Sequence, residues 1–297
     1  MRTNLRYGFV TVLACALISL SFFLMTSPIA LQKILSLKPY DEELTLYNVE
    51  FSTIEEQRIF DFISSIPYRN EAADSWYVDP ELKYKDTILA GNGNCSNLAF
   101  GAMYAFIASN EQAAIVHLFG KDYGFLYGSG HTVLSVNMEN QSIVLDVLEG
   151  GIPLQNRNYI DAQHFTYNEE DVFTHHVITD RRDSQNGYFT NNYLQEIELG
   201  LIPQQEIIDY FNFLDMFYVP LGHTYVEKLF YDTLSLLFGY YPSTYVSENF
   251  FWEIYSDARV QVFFAYVFLA SFHLLYIIFV SLLVLRIWAL YKEKKQV

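Results

Sequence analysis

Hydrophobic patterning changes three times along this chain. From Tyr7 to Gln32 no residue is charged, and the run GFVTVLACALISLSFFLM is long enough to cross a hydrocarbon layer as a helix. A second uncharged run, Val262 to Leu285, holds only His273 as a group that titrates near neutrality, and Arg286, Lys292, Lys294 and Lys295 follow it. Arg2 and Arg6 precede the first run, so basic residues flank the outer end of both. This predicts a two-pass cell-membrane protein, anchored in the lipid bilayer by two helices with both termini cytoplasmic. Residues from about Lys33 to Arg259 would then lie on the other side, in a bacterial periplasm or outside the cell. His273 is expected to be a neutral imidazole facing another helix.

Between the two runs the period shortens. Ile59, Phe62, Ile63 and Ile66 share one face of a helix predicted over Ile54 to Ile66, with Ser52 or Thr53 as cap and Pro67 as stop. Tyr68 to Asp86, which carries Trp76, has no clear period and reads as a loop. Gly91, Gly93 and Asn94 then form a turn, and a small-residue apolar helix, Ser96 to Ser109, starts at once. Three strand-like runs follow, Ala113 to Phe119, Thr132 to Asn137 and Ser142 to Val147, the last two joined by a polar turn. A helix leading into an antiparallel sheet is an α+β arrangement.

Past Gly150 the alternation fades. Helical stretches are expected near Asn192 to Glu198 and over Gln204 to Phe217. The aromatic, amphipathic run Leu229 to Tyr241 suits a membrane surface and a packed core equally. The partition is an N-terminal membrane anchor at 1–32, a domain at 33–160, an aromatic-rich, partly helical extension at 161–260, and a membrane helix with a basic tail at 261–297.

Charge narrows the set of partners. The formal charge is -16, and the region between the apolar runs is more acidic still, with 12 basic against 33 acidic residues, while the two ends are net basic. Such a field repels nucleic acid and anionic head groups, so no nucleic-acid partner is expected. The two cysteines, Cys15 in an apolar run and Cys95 in the central region, exclude a disulfide framework.

Cys95 opens the small-residue helix, where unpaired N–H groups and the positive dipole end favour a thiolate. The preceding glycines let the backbone turn sharply, and the N–H of Cys95 or Ser96 can face a developing oxyanion. His131 follows Gly128, Ser129 and Gly130 at the start of a strand-like run, the place for a base. Asp146 lies near the end of the next strand, where strand parity can set its carboxylate beside the imidazole. Trp76 and Asn92, upstream of the cysteine, are further oxyanion candidates. His117, within a strand-like run, reads as structural. His175 and His176 are adjacent, with His164 nearby, but show no H-E-x-x-H or C-x-x-C spacing. They read as part of a solvated polar loop, and neither a metal nor an organic cofactor is expected.

The strings GNGNCSNLAFGAMYAF, GSGHTVLSV and SIVLDVLEGG place a histidine 36 positions after the cysteine and an aspartate 15 positions after the histidine. Over about residues 54 to 151 this resembles the transglutaminase-like superfamily. The resemblance implies a papain-like α+β core, with Cys95 as nucleophile, His131 as general base and acid, and Asp146 as the orienting residue. It also implies a thioester formed with a protein or peptide substrate and resolved by an amine or by water. The family often has an aromatic residue two places after the histidine, where this chain has Val133. Two other readings stand beside it. One is a catalytically inactive membrane scaffold or binding protein for envelope peptide or polysaccharide assembly. The other is a papain-like cell-wall endopeptidase, a group whose third polar residue is generally a second histidine.

Overall fold

The structure is a computed structural model that describes residues 35–40, 54–67, 75–120, 130–138, 141–161, 170–179, 197–257 and 259–294. Strand β1 (Leu37–Pro39) is followed by helix α1 (Glu56–Ser65), whose Ile59 and Ile63, one turn apart, are fully buried. The helix starts later than its apolar spacing suggests. Ile54 is already taken by the sheet, its N–H bonding to Asn137 O at 2.8 Å, so Glu55 is the cap and makes no side-chain capping bond. The expected caps, Ser52 and Thr53, lie outside the described residues. Ile66, extended ahead of Pro67, ends the helix as proline's clash with a preceding helical residue requires.

The expected loop from Tyr68 to Asp86 contains a helix. In α2 (Pro80–Tyr84) Asp79 accepts from the N–H of Leu82 at 2.8 Å, and Pro80 occupies the first turn, where its missing N–H costs nothing. The helix runs on into a π-helical turn at Lys85–Leu89. A helix of five residues is too short to show a period, which is why the apolar pattern missed it. Gly91 (φ 73°) and Gly93 (φ 119°) then reverse the chain in conformations that a side chain would strain.

Helix α3 (Cys95–Ala108) starts directly after this turn. Strands β2 (Ala113–Gly120), β3 (Gly130–Met138) and β4 (Gln141–Leu145) form an antiparallel meander, with Leu134 opposite both Ile115 and Leu145. Leu98, Ala102, Met103 and Phe106 of α3 pack against Ile115, Leu134 and Val136, and α1 adds Ile59 and Ile63 to the same core. Burial of each large apolar side chain here contributes about 1.5–3 kcal/mol.

Beyond Gly150 the fading alternation conceals strands. β5 (Gly151–Gln155), β6 (Asn158–Tyr159) and β7 (Phe173–Val177) make a separate three-stranded sheet with β5 in the middle. β8 (Ile197–Ile202) pairs antiparallel with the free side of β2. The helix expected over Asn192 to Glu198 is therefore strand from Ile197 onward, and 192–196 lie outside the described residues. The sheet edge of β2 decides the conformation, overriding a weak local preference. Helix α4 (Gln204–Phe217) has the expected bounds. Helix α5 (Tyr225–Phe238) ends at Gly239, in the left-handed conformation at φ 74°. β9 (Thr244–Val246) joins β8 and pairs in parallel with β1, giving a six-stranded mixed sheet in the order β1-β9-β8-β2-β3-β4. Mixed sheet and helices together bear out the α+β class.

Residues 36–254 form one compact unit, which runs into α6 (Glu248–Asp257). The second unit is described through α7 (Arg259–Lys294), a helix of 36 residues. Within it Leu269–Arg286 is the one helical stretch among the described residues long and apolar enough to cross a membrane, and none of it is buried in the structure. The N-terminal apolar run lies outside the described residues. His273 directs Nδ1 at the Leu269 carbonyl of its own helix, 2.7 Å away.

Gln204 joins α4 to the sheet. Its side chain is buried, accepts from the N–H of Ala113 and donates to the carbonyl of Glu111, both at 3.1 Å. Gln204→Leu leaves both backbone groups buried without these partners, so a loss of about 2–4 kcal/mol is expected in denaturant unfolding. Gln204→Glu, which sets a buried carboxylate oxygen against the Glu111 carbonyl, is expected to lose at least as much.

Candidate active site

The turn at 91–94 delivers Cys95 to the first position of α3. Asn94 caps the helix by accepting from the N–H of Asn97 at 3.0 Å, which leaves the earlier N–H groups of the first turn facing outward. The neighbouring α2 holds the same turn, Lys83 Nζ donating to Asn97 Oδ1 at 3.0 Å. Burial and then the charge of Lys228 bring the Lys83 amine down to about 8.

β3 brings His131 to this helix start. β4 pairs with β3 only from Leu134 onward, so at residues 131–133 that side of β3 is open, and the N–H of Thr132 bonds to the Cys95 sulfur. Leu145 lies opposite Leu134, so the residue after it falls on the face shared by Val133 and His131. That residue is Asp146. Its Oδ2 meets His131 Nε2 at 2.8 Å, and both side chains are fully buried. Its Oδ1 accepts from the N–H of Glu149 at 2.9 Å, and the N–H groups of Gly150 and Gly151 bond to its carbonyl at 2.9 and 3.1 Å. The carboxylate is thus locked by its own turn. With Nε2 engaged, Nδ1 is the ring nitrogen that can exchange a proton with the thiol, and Cys95 and His131 interact electrostatically.

Burial alone would push the Cys95 thiol up. The hydrogen bond to His131, the imidazolium charge and the N–H groups of Thr132 and Ser96 outweigh it, and the thiol lies below its ordinary value. Burial also disfavours a charged His131, but the charge and hydrogen bond of Asp146, with a contribution from Cys95, raise it to about 10. Asp146, which burial would raise, is held below the usual carboxylate range by the charge and hydrogen bond of His131 and by the Glu149 N–H. These directions raise the share of thiolate beside an imidazolium beside a carboxylate. Such a group can attack an electrophilic carbonyl and return a proton to the leaving group.

Of the sequence candidates, the structure brings together Cys95, His131, Asp146 and the N–H of Ser96. Asn92 is committed to its turn, its side-chain amide donating to Asp86 Oδ1 at 2.7 Å. Trp76 packs edge-on against Tyr225, the ring centres 5.2 Å apart. His117 is structural as expected, with Nδ1 3.0 Å from Thr132 Oγ1.

His175 and His176 are not in a polar loop. They sit on β7 and point to opposite faces, His176 against the Phe60 ring with centres 5.5 Å apart. His175 lies over Gly151, where a Cβ would come within 2.9 Å of its Cε1 and Nε2 and 2.4 Å of the His176 carbonyl oxygen. Burial lowers its basicity, opposed by Asp146 and assisted by His176 and His131, so it stays neutral and leaves the Asp146 charge to His131. Sequence reasoning missed this neighbour because only the pairing of β5 with β7 brings residue 175 beside residue 151. No group of three or more His, Cys, Asp or Glu able to hold a metal occurs among the described residues, and His164 lies outside them.

The buried pair sets a pH window for stability. His131 holds its proton more tightly folded than unfolded, so its contribution is full below about pH 6.5 and is lost as pH rises through about 10. Asp146 holds its proton less tightly when folded, so its contribution is present above 3.8 and is lost as pH falls below that. Asp146→Asn is expected to cost about 3–5 kcal/mol near neutrality and to remove the alkaline arm of the profile. Denaturant unfolding of both proteins across pH checks this. Comparison with protein-family models, with curated proteins and with solved structures found no match for this chain.

Proposed function

We propose that this protein is a membrane-anchored thiol enzyme of the transglutaminase-like kind, acting on amide or peptide-type bonds through Cys95, His131 and Asp146. The observation that carries the proposal is the fully buried His131–Asp146 contact at 2.8 Å, with the Cys95 thiol interacting electrostatically with the same ring. A histidine ordinarily titrates near 6.5, and a buried structural histidine is normally neutral. This one is held cationic next to a thiol at a helix start, an arrangement that suits nucleophilic catalysis and brings little to packing.

In the proposed reaction the Cys95 thiolate attacks the acyl carbon, and the C–N bond breaks as the His131 imidazolium gives its proton to the departing amine. The acyl group is then held as a thioester. Water or a second amine, losing a proton to His131, attacks the thioester and releases the thiolate. The N–H of Ser96 at the start of α3 is the proposed oxyanion donor. A carboxylate as third member favours this reading over the cell-wall endopeptidase pattern, in which a second histidine is usual. In the proposed topology α7 and the N-terminal apolar run anchor the enzyme, with the Cys95 unit facing the periplasm or the cell exterior.

Two measurements test the proposal. Iodoacetamide labelling, followed on the Cys95 peptide so that Cys15 does not interfere, is expected to proceed well below pH ~8.5, the usual midpoint for a free thiol. In His131→Ala the midpoint is expected to return to that value. Wild-type protein is also expected to join a fluorescent primary amine to a glutamine-containing protein, or to hydrolyse it, and Cys95→Ala is expected to do neither. A free-thiol labelling profile in the wild type contradicts the proposal. Equal performance of wild type and Cys95→Ala in cells supports the scaffold reading.

A further inference from the structure

The segment Met216–Tyr240 differs from the rest of the chain in what it presents to solvent. It comprises the end of α4, the loop at 218–224, α5 and the two residues after it. Met216, Val219, Leu221, Val226, Phe230 and Phe238 are between 45 and 70% exposed. Single exposed apolar side chains are ordinary, but this number in one short segment marks a binding surface. The rings of Phe217 and Phe238 stack 6.1 Å apart and join the end of α4 to the end of α5.

The loop is mounted so that these side chains cannot fold inward. Glu227, buried in the first turn of α5, accepts from the Tyr218 hydroxyl and the His223 N–H, both at 2.9 Å, and from the Leu221 N–H. The Tyr231 hydroxyl donates to the Val219 carbonyl at 2.8 Å. The loop that carries Val219 and Leu221 is therefore fastened to α5 by hydrogen bonds.

Charge identifies the occupant. The chain carries a net charge of -16, yet this segment has only three charged side chains, Glu227, Lys228 and Asp232. Both carboxylates are buried, and Lys228 is paired with Asp232 at 2.6 Å. An acidic protein thus offers here a segment with no exposed carboxylate of its own, Asp215 being exposed at its edge, and with Tyr225 and the neighbouring Trp76 as amphipathic aromatics. Chain length also restricts the choice. The apolar stretch of α7 begins fifteen residues after Ile254, the end of the first unit, a span of at most about 50 Å fully extended. A unit tethered so closely to a bilayer meets its surface at a high effective concentration.

We propose that the Met216–Tyr240 surface docks on the head-group and upper acyl region of the bilayer that α7 crosses. This rests on α7 as a membrane span and is independent of the chemistry at Cys95. A docked unit would confine that chemistry to substrates close to the membrane.

The test uses full-length protein with Cys15→Ser and Cys95→Ser, carrying an environment-sensitive fluorophore at Val226→Cys, Phe238→Cys or, as a control on the exposed face of α1, Gln57→Cys. After reconstitution in phosphatidylcholine vesicles, lipids spin-labelled near the head group are expected to remove more than about half of the emission at 226 and 238, while aqueous iodide has little effect. At 57 the pattern is expected to reverse. Iodide quenching at 226 and 238 equal to that at 57 would overturn the proposal. So would protection from iodide in native membranes that is absent in pure lipid, since a protein partner would then be the occupant. Release of the chain by alkaline carbonate would instead overturn the membrane-span reading of α7, a failure distinct from loss of docking.

Discussion

A carboxylate and an imidazole, both shut away from water, face each other at the end of the central sheet, and the surrounding structure exists to keep them so. An ionised Asp146 in that position would be strongly unfavourable without the His131 contact and the N–H of Glu149. An ionised His131 would be equally unfavourable without Asp146. Each makes the other's charge tolerable, and the thiol at the start of α3 gains a fixed cation as a consequence. The turn at 146–150, the early end of β4 and the glycine at 151 that admits His175 are the backbone features that hold the geometry.

What could be read in the sequence is what is encoded locally. The turn before Cys95 is written in Gly91, Gly93 and Asn94, and both glycines have positive φ while Asn94 caps the helix. The hairpin that aligns His131 with Asp146 is written in two short apolar runs joined by a polar turn, and the parity of the two strands was enough to bring base and carboxylate together. Gln204 to Phe217 carries a full helical period and is a helix over those bounds. What escaped was encoded at a distance. Ile197 to Ile202 is a strand because β2 has a free edge, and His175 is beside Asp146 because β7 pairs with β5. Pro80 to Tyr84 was missed for the opposite reason, being too local: one capping aspartate and one proline make the helix, with no period to see.

The same contrast applies to the surface. An aromatic run near residue 229 suited core or membrane equally in the sequence, because α5 divides its residues between the two. Tyr231 and Leu236 are buried, while Phe230 and Phe238 are exposed. The neighbouring loop, fastened by Glu227, adds exposed Val219 and Leu221 to the exposed half.

The central claim is that His131 is an imidazolium at neutral pH because Asp146 is buried against it. Nuclear magnetic resonance of protein with isotope-labelled histidine rings reads this directly, with Cys95→Ala and Asp146→Asn variants separating the two neighbours. The account predicts a ring that stays doubly protonated until about pH 10 in the wild type and loses most of that elevation in Asp146→Asn. A His131 ring that is already neutral at pH 8 in the wild type would contradict it.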